Sequence, residues 1–354
     1  MKIKIKLAIL ESDKGYLERL VGTFFVRYPD DLVIFSFTNL DIAMASLESA
    51  KIDVFLASDT FDVNIDLIPK RCSFAYLVES VDVDSLNGQR VVCKFQKADL
   101  IHKQILSLYA EKADSIGGFV GNSDCRMIAF ESPCGGVGSS TMAAACALHF
   151  ASLGRKTLYL NLESFGSTDI FFQGEGQSDM GDIIYFLASK KPNLMLKLES
   201  CARQTIGGLY FFAQPSTSTH MLEMTADYIK QMVKELRVSG SYEYIILDLD
   251  FGLDQERNEF LRQMNAVVWT SNGTRMANHK IESAYQALSN MEENQDLPLT
   301  KNMFIAYNRF SSNNGRHVEN VEIEEIGGTP NFTDAESVDI IQRISQMNMF
   351  DRLA

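Results

Sequence analysis

The segment 134–141 constrains the fold of this chain more than any other part of its sequence. It reads Cys-Gly-Gly-Val-Gly-Ser-Ser-Thr, follows an apolar run at 126–130 and opens a helix of small residues at 141–148. In such a strand–loop–helix unit, glycines let successive backbone N–H groups turn toward an anion, and the helix N-terminus adds its positive dipole end. The sequence therefore predicts a phosphate-binding loop in a parallel α/β sheet.

The side chains of this loop indicate a nucleotide site that lacks its usual cation. The residues predicted to contact the nucleotide are Cys134, Gly135, Gly136, Val137, Gly138, Ser139, Ser140 and Thr141. Ser140 keeps the hydroxyl that binds Mg²⁺ in such loops, whereas Ser139 stands where a lysine normally reaches the terminal phosphates. We interpret Cys134 as a small residue that fits the turn rather than as a redox-active thiol.

Composition describes a globular protein that is long enough for two domains and has an acidic surface. Of its 354 residues, 46% are hydrophobic and 22% are charged, and the formal net charge is −13. Such a surface repels polyphosphate, so nucleic acid is not an expected partner. No apolar run reaches the roughly 20 residues of a membrane-spanning helix. The six cysteines form no CxxC pair and indicate reduced thiols in a cytoplasmic protein.

Alternating strands and helices predict two doubly wound parallel-sheet domains of the α/β class. The first domain, 1–112, and the second, 125–354, are joined by a predicted linker at 113–124 that is rich in glycine and polar residues. Predicted strands lie at 3–10, 32–38, 53–57, 74–78, 90–93, 126–130, 157–162, 208–213, 244–248, 266–270 and 303–307. Predicted helices lie at 14–27, 39–48, 98–109, 141–148, 180–189 and 221–236.

Polar residues follow the predicted strands of the first domain. Glu11 and Asp13 follow the first strand, Ser58 and Asp59 follow the third, and Lys94 follows the fifth. With its strand–helix units, this half resembles the receiver domain of response regulators, which has a flavodoxin-like fold. The resemblance implies an acidic pair that binds Mg²⁺, an aspartate that accepts a phosphoryl group, and a lysine beside it.

The receiver-like site is degenerate because it lacks the phosphoryl acceptor. Ser58 stands at the acceptor position, and Asp59 follows one residue later, where a strand turns its side chain to the opposite face. We therefore expect a receiver-shaped docking domain that is not phosphorylated and that recognises a protein. The alternative is a response regulator whose first domain is phosphorylated and whose second domain is an ATPase effector.

Further motifs follow the phosphate loop at intervals through the second half. Their residues are Glu163, Asp248, Asn308, Arg309 and Pro330. Each motif lies at the carboxyl end of a predicted strand or in a late turn, where open α/β sheets bind ligands. In this order and spacing they resemble the MinD/ParA group of P-loop ATPases, whose cofactors are ATP and Mg²⁺.

The resemblance implies a role for each carboxylate of this half. Asp248 matches the strand-end aspartate that reaches Mg²⁺ through water, and Ser140 supplies the hydroxyl ligand. Relatives carry two aspartates after the second strand, where this chain has Asn161 and Glu163. Glu163 keeps the carboxylate that helps to position the attacking water. We therefore expect Glu163 and Asp248 to be the catalytic residues of whatever hydrolysis occurs.

The same resemblance implies the nucleotide contacts and a low rate. Asn308 would read the adenine edge, with Arg309 beside it, and the turn ending at Pro330 would lie near the base. Relatives carry lysines at the positions of Cys134 and Ser139. Because the loss of one transition-state contact commonly costs about 10²–10³ in rate, we expect Mg-ATP binding with weak or slow hydrolysis.

A receiver-like domain followed by a MinD/ParA-like domain resembles the CpaE/TadZ proteins of Flp/Tad (type IVb) pilus assembly. The resemblance implies a cytoplasmic, nucleotide-dependent homodimer that marks the assembly site, at the cell pole or at the membrane through protein partners. Those partners would be pilus secretion proteins or polar landmark proteins. The alternative is a partitioning or positioning ATPase of the ParA/MinD kind, with hydrolysis that a partner stimulates.

The C-terminal segment 337–354 bears on direct membrane binding. Its apolar positions at helical spacing are Val338, Ile341, Ile344 and Met347, and its basic residues are Arg343 and Arg352. An apolar stripe with so few cations packs on protein more often than on anionic lipid. We therefore expect no direct membrane insertion.

Overall fold

The computed structural model describes residues 4–80, 83, 85–112, 125–295, 300–311, 313 and 315–354. By packing, the chain divides into two compact units, Met1–Gly118 with Phe186–Cys201 and Phe119–Tyr185 with Ala202–Ala354. Nothing in the strand–helix alternation indicates that Phe186–Cys201 belongs with the first unit. The predicted linker at 113–124 lies outside the described residues, so the domain boundaries remain predictions.

The first unit is built on a six-stranded sheet of order β2-β1-β3-β4-β6-β5. Its elements are β1 (Ile5–Leu10), α1 (Lys14–Arg27), β2 (Leu32–Phe37), α2 (Leu40–Ser49), β3 (Val54–Ser58), β4 (Ser73–Val78), β5 (Ser85–Leu86), β6 (Gln89–Cys93) and α3 (Ala98–Lys112). Among the described strands of this sheet, β5 alone runs antiparallel to its neighbour. β3 and β4 are buried throughout, as their uninterrupted apolar sequences require.

Two connections of this unit depart from a regular strand–helix repeat. Between β3 and β4 the chain forms a 3-10 turn at Ile65–Leu67 instead of an α-helix. The apolar residues at 61, 63, 65 and 67 alternate with polar ones, so they give no helical apolar face, and Pro69 follows. Between β5 and β6 the chain forms a hairpin at Asn87 and Gly88, whose φ angles are both positive. The described part of this unit's sheet is therefore not accompanied by the five helices of a complete receiver domain.

The remaining strands form the second sheet, of order β14-β13-β12-β7-β11-β8-β10-β9. In chain order, the elements after 125 are β7 (Arg126–Glu131), α4 (Ser139–Ser152), β8 (Thr157–Asn161), α5 (Thr168–Phe171), α6 (Met180–Ala188), α7 (Leu194–Cys201), β9 (Arg203–Gln204), β10 (Tyr210–Phe211), α8 (Ala226–Ser239), β11 (Tyr244–Asp248), α9 (Gln255–Leu261), β12 (Ala266–Ser271), α10 (Arg275–Gln295), β13 (Met303–Tyr307), β14 (Glu324–Gly328) and α11 (Ser337–Ser345). Among them, α7 and the end of α6 pack with the first unit. The two parallel-sheet α/β units confirm the predicted fold class.

Strand order places the predicted motifs at one edge of the second sheet. β7 lies between β12 and β11, and β11 pairs with β8 on its other side. Asp248, at the end of β11, is level with Phe130 of β7 and with Asn161 of β8. Because these strands are parallel, the phosphate loop and the polar residues after β8, β11 and β13 all lie at the carboxyl edge.

Two predicted elements of the second unit differ from the structure. The predicted helix at 221–236 is a 3-10 segment at Ser218–Glu223 followed by α8, because the Thr225 hydroxyl caps α8 by accepting a hydrogen bond from Tyr228 N. The predicted turn that ends at Pro330 is preceded by the edge strand β14, whose last residues, 326–328, begin the same Ile-Gly-Gly-Thr-Pro sequence; β14 pairs with β13 across a β-bulge. Pairing with β13 resumes after the bulge and ends at Gly328, and Thr329 and Pro330 follow.

The C-terminal segment packs on α4, the helix that follows the phosphate loop. Ile341 and Ile344 of α11 are buried there, and so is Phe350 of the 3-10 segment Asn348–Leu353. Val338, at the start of the predicted stripe, is exposed. No helix in the described part of the chain is long and apolar enough to cross a membrane.

A buried histidine of α4 contacts both the end of α11 and the 3-10 segment that follows it. His149 Nδ1 lies 2.8 Å from the carbonyl oxygen of Ser345, and Nε2 lies 3.0 Å from Oδ1 of Asp351. Both partners are oxygen acceptors, so a ring nitrogen that carries a hydrogen donates to the oxygen that it faces. The helix behind the phosphate loop is thereby joined to residues 345–351.

Candidate functional site

The phosphate loop connects β7 to α4 and leaves its backbone donors available. Gly136 and Gly138 have φ angles of +76° and +91°, which glycine adopts without strain. Gly138 precedes α4, so the first N–H groups of that helix point out of its N-terminus. The backbone N–H groups of 135–141 have no acceptor among the described residues. An anion would satisfy them.

The side chains of the loop anchor its start and leave one hydroxyl unsatisfied. Ser132 Oγ donates to the carbonyl oxygen of Thr270 at 2.6 Å and accepts a hydrogen bond from Cys134 N at 3.1 Å. The Cys134 thiol is half-buried. Ser139 Oγ is buried and has no hydrogen-bond partner in the described structure. A buried hydroxyl without a partner is costly, and a ligand that hydrogen-bonds to it would offset that cost.

Two residues at the end of β13 contact the loop through its carbonyl oxygens. Asn308 Nδ2 donates to the carbonyl oxygen of Val137 at 2.9 Å, and Arg309 Nη2 donates to that of Gly136 at 2.6 Å. Asn308 is 3% exposed, and its Oδ1 accepts a hydrogen bond from Thr329 Oγ1 at 2.9 Å. The structure therefore brings both strand-end residues to the phosphate loop. Thr329 is buried, whereas the Pro330 that follows it is exposed.

A buried polar cluster lies at the carboxyl ends of β8 and β11. Oδ2 of the buried Asp248 accepts hydrogen bonds from Tyr159 OH at 2.6 Å and from Asn161 Nδ2 at 2.9 Å. Asn161 Nδ2 also donates to Glu163 Oε2 at 3.1 Å, and Ser140 Oγ donates to the same carboxylate at 3.1 Å. The predicted residues Ser140, Glu163 and Asp248 thus meet in one network.

The side-chain amide of Asn161 is neutral and donates hydrogen bonds to the carboxylates of Asp248 and Glu163. An aspartate at this position would add a negative charge beside Asp248 and Glu163, and like charges at such distances repel strongly in a buried site. Tyr159 was not singled out by the sequence pattern. The available signal was its position two residues before Asn161, which puts both side chains on the same face of β8.

Asp248 has an environment that favours a bound cation. Burial raises the pKa of Asp248 well above its ordinary value of 3.8, and the Glu163 carboxylate raises it further, while the hydrogen bond from Tyr159 lowers it. Its Oδ1 has no hydrogen-bond partner in the described structure. A positive ion would offset the desolvation of this carboxylate and occupy its unpaired oxygen.

The available donors fit Mg²⁺ held with a nucleotide. Ser140 Oγ and Asp248 Oδ1 are hard oxygen donors, and Mg²⁺ is usually bound by one or two protein oxygens, waters and substrate phosphates. The described residues contain no cluster of three or more His, Cys, Asp or Glu side chains that could hold a metal alone. Ser140 and Asp248 would hold a Mg²⁺ whose remaining ligands are nucleotide phosphates and waters.

A buried ion pair that the sequence pattern did not reveal ends β7, next to the loop. Glu131 is 1% exposed, and its carboxylate accepts hydrogen bonds from Arg257 Nη2 at 2.7 Å and from Trp269 Nε1 at 2.8 Å. Burial raises the pKa of Glu131 to about 7, although Arg257 and Trp269 lower it. An acidic residue at the end of an apolar strand was the only signal for this contact.

The receiver-like site of the first unit is closed by its own ion pair. Lys94 Nζ lies 2.8 Å from Glu11 Oε2 and donates to Ser58 Oγ at 2.9 Å, and all three residues are buried. Thr60 Oγ1 also donates to Ser58 Oγ, at 3.0 Å. The lysine that would contact a phosphoryl group thus already has a carboxylate and a hydroxyl as partners.

The two remaining acidic residues of this site, Asp13 and Asp59, have exposed side chains. Asp13 caps α1 by accepting a hydrogen bond from Tyr16 N at 3.0 Å. Asp59 follows β3 with an exposed side chain, whereas Ser58 is buried beside Lys94. The structure therefore brings Glu11, Ser58 and Lys94 together and does not add Asp59 to them.

We expect acetyl phosphate and Mg²⁺ to leave the full chain without a phosphoryl group, because no carboxylate occupies the acceptor position against Lys94. Intact-mass spectrometry before and after incubation measures the adduct, and Asp59→Asn is the matched control. A stable adduct in the wild type that Asp59→Asn abolishes would contradict this expectation and support the response-regulator alternative.

Comparison with known proteins gives a separate match for each unit. Residues 2–110 match the family described as the TadZ-like receiver domain. Among solved structures, a ParA family ATPase from Chlorobium tepidum is 15% identical with a TM-score of 0.51, and the alignment covers 66% of this chain and 97% of that one. This likeness shows the fold of the larger unit.

Two further solved structures are similar at lower scores. MinD of the MinC:MinD cell division complex from Aquifex aeolicus is 17% identical with a TM-score of 0.48, covering 65% of this chain and 94% of that one. The cell division ATPase MinD of Pyrococcus furiosus is 14% identical with a TM-score of 0.45, covering 65% and 99%. No curated protein sequence matches the chain significantly.

Proposed function

We propose that this chain binds Mg-ATP and that the binding of Mg-ATP makes it dimerise. The chain is a CpaE/TadZ-type fusion of a TadZ-like receiver domain with a ParA/MinD-fold domain. The observation that carries the proposal is the combination of two features. The backbone N–H groups of 135–141 have no acceptor in the described structure, and the buried Asp248 carboxylate has one oxygen, Oδ1, without a hydrogen-bond partner. Triphosphate oxygens would accept hydrogen bonds from these N–H groups, and a nucleotide-bound Mg²⁺ would bind the free oxygen of Asp248.

Hydrolysis is proposed to be slow. The loop carries Cys134 and Ser139 where a lysine could stabilise charge on the terminal phosphates. Glu163, the residue proposed to position water, already accepts hydrogen bonds from Ser140 and Asn161. A bound nucleotide would therefore persist, and the dimer with it, which suits a scaffold better than a rapidly cycling enzyme.

The domain arrangement supports a proposal for the cellular role. We propose that the chain acts in the cytoplasm, at the pole or at the membrane through protein partners, and marks where the Flp/Tad pilus machinery assembles. The receiver-like unit would contribute a docking surface, since its site is occupied by the Lys94–Glu11 ion pair. Pilus secretion proteins or polar landmark proteins are the proposed partners.

We expect Mg-ATP to double the solution mass of the wild-type chain while releasing phosphate at least about a hundredfold more slowly than a partner-stimulated ATPase would. Size-exclusion chromatography with light scattering measures the mass, and a coupled phosphate assay measures turnover. EDTA is the control, because removal of Mg²⁺ should return the protein to the monomer. A monomer at saturating Mg-ATP would refute the proposed switch.

The alternative, a partitioning or positioning ATPase of the ParA/MinD kind, predicts a different kinetic result. Rapid turnover in the phosphate assay would favour it, since a lysine-free loop is not expected to support such a rate. Both proposals share nucleotide binding at 134–141. They differ in whether the bound ATP is consumed.

A further inference from the structure

We propose that Asn308 and Arg309 are positioning residues that orient two peptide units of the phosphate loop, and that Asn308 does not read the base. This inference rests on the proposed nucleotide site and assigns to Asn308 a role that its motif alone does not indicate. It also gives a physical account of how a loop without lysine could still bind phosphate.

The amide of Asn308 is already committed on both sides. Nδ2 donates to the carbonyl oxygen of Val137 at 2.9 Å, and Oδ1 accepts a hydrogen bond from Thr329 Oγ1 at 2.9 Å. The approach is so close that a Cβ on Gly138 would collide with Nδ2. A bidentate reading of an adenine edge requires Oδ1 and Nδ2 to face the base together. Here they face Thr329 and the loop.

Arg309 makes the second contact from a strained backbone conformation. Its φ of +55° lies in the left-handed region, which is unfavourable for a residue with a side chain, and its N–H donates to Thr329 Oγ1 at 3.2 Å. This conformation accompanies the 2.6 Å hydrogen bond from Nη2 to the carbonyl oxygen of Gly136. Strain of this kind persists where the surrounding contacts determine the geometry.

The consequence for the loop follows from the planarity of the peptide unit. In a trans peptide, C=O and the following N–H point in opposite directions, and the described chain has no cis bond. Holding the Gly136 carbonyl therefore turns the N–H of Val137 away from Arg309, and holding the Val137 carbonyl turns the N–H of Gly138 away from Asn308. Both N–H groups lack a protein acceptor.

Preorganised donors bind an anion better than mobile ones, because no free energy is lost in ordering them at the moment of binding. Two oriented N–H groups thus compensate in part for the missing lysines. Arg309 adds a positive charge at Gly136, which is close enough to act on a bound phosphate electrostatically. The loop and the strand end form one preorganised unit.

The test separates phosphate binding from base reading. Isothermal titration calorimetry measures the Kd of Mg-ATP, Mg-GTP and Mg-tripolyphosphate for the full chain and for Asn308→Ala. We expect Asn308→Ala to weaken all three by a similar factor of about tenfold, and to leave the ATP-to-GTP ratio unchanged. Asn308→Asp, which keeps the shape but cannot donate to the Val137 carbonyl, should weaken them at least as much.

Arg309 is tested with variants that separate its hydrogen bond from its charge. Arg309→Gln keeps an N–H donor and should weaken Mg-ATP about threefold, whereas Arg309→Met removes donor and charge and should weaken it about tenfold. Lys280→Met, on the exposed side of α10, removes one charge from the same unit and should change nothing. Equal losses in the Gln and Met variants would overturn the hydrogen-bond role.

The outcomes distinguish this inference from the function on which it rests. If Asn308→Ala loses ATP but keeps tripolyphosphate, or if its ATP-to-GTP ratio shifts, then Asn308 reads the base and the inference is overturned while nucleotide binding stands. If the wild type binds none of the three compounds, the proposed function falls and the inference falls with it. Thermal unfolding without ligand shows whether each variant remains folded.

Discussion

Asp248→Asn is expected to weaken Mg-ATP binding by at least about a hundredfold while making the ligand-free protein more stable by about 1–2 kcal/mol. The two effects have one cause. The Asp248 carboxylate is buried, and its Oδ1 has no partner, so its charge is costly until a cation arrives. An asparagine keeps the shape and the acceptor for Tyr159 but removes the charge. Calorimetry with Mg-ATP and ligand-free thermal unfolding measure the two quantities.

The pH dependence of the stability of the ligand-free protein is an independent test of whether the Asp248 charge destabilises the folded chain. The folded-state pKa of Asp248 is raised above the ordinary value of 3.8, so the folded chain holds this proton where the unfolded chain has lost it. The stability contribution is therefore complete below about pH 3.8 and is lost as the pH rises through the folded-state pKa. Asp248→Asn should therefore exceed the wild type in stability by an amount that grows as the pH rises.

Asp250→Asn is the matched control for Asp248→Asn, because Asp250 is exposed and only accepts hydrogen bonds from Ser164. This variant should change the Kd of Mg-ATP by no more than about twofold and the free energy of unfolding by no more than about 0.5 kcal/mol. If Asp248→Asn bound Mg-ATP like the wild type, the carboxylate would have no part in the site, and the proposed Mg²⁺ position would be wrong.

The second large effect is expected at the ion pair beside the loop. Arg257→Met should destabilise the protein by about 3 kcal/mol, because it leaves the buried Glu131 carboxylate without its cation. For a unit of this size that corresponds to a fall in Tm of roughly 10 °C. Thermal unfolding by circular dichroism measures it, and lowering the pH from 8 to 5 should reduce the loss, since a protonated Glu131 needs no partner.

Glu131→Gln provides the matched test of that explanation. In the double variant with Arg257→Met, most of the lost stability should return, because a neutral amide can still accept the Trp269 Nε1 hydrogen bond without a buried charge. If the double variant were as unstable as Arg257→Met alone, the destabilisation would come from lost packing of the arginine stem rather than from the unpaired carboxylate.

Much of the architecture could be predicted because its signals are local. The apolar runs of β7, β11 and β13 are uninterrupted and end in polar residues, so their existence and their carboxyl ends follow directly from the pattern. The predicted pair of α/β domains is confirmed, and the CpaE/TadZ resemblance is confirmed through the TadZ-like receiver match and the ParA-like fold. The pilus role, the dimer and the cofactors remain proposals.

What the sequence pattern missed depends on contacts between distant segments. Glu131 and Arg257 are 126 residues apart, and only strand order brings α9, the helix after β11, next to β7. Thr329 meets Asn308 because β14 adds to the sheet edge across a bulge, which a turn-like Gly-Gly-Thr-Pro sequence conceals. The hairpin at Asn87 and Gly88 had a local signal, the Asn-Gly pair, and could have been predicted.

The C-terminal residues have a practical consequence for genetic work on this protein. Phe350 and Leu353 are fully buried against α4, and His149 joins that helix to Ser345 and Asp351. A stop codon introduced before 346 would therefore strip apolar support from the back of the nucleotide helix. A fluorescent reporter attached behind the exposed Ala354 avoids that damage. Deletion phenotypes in this region should be read as folding defects before they are read as lost targeting.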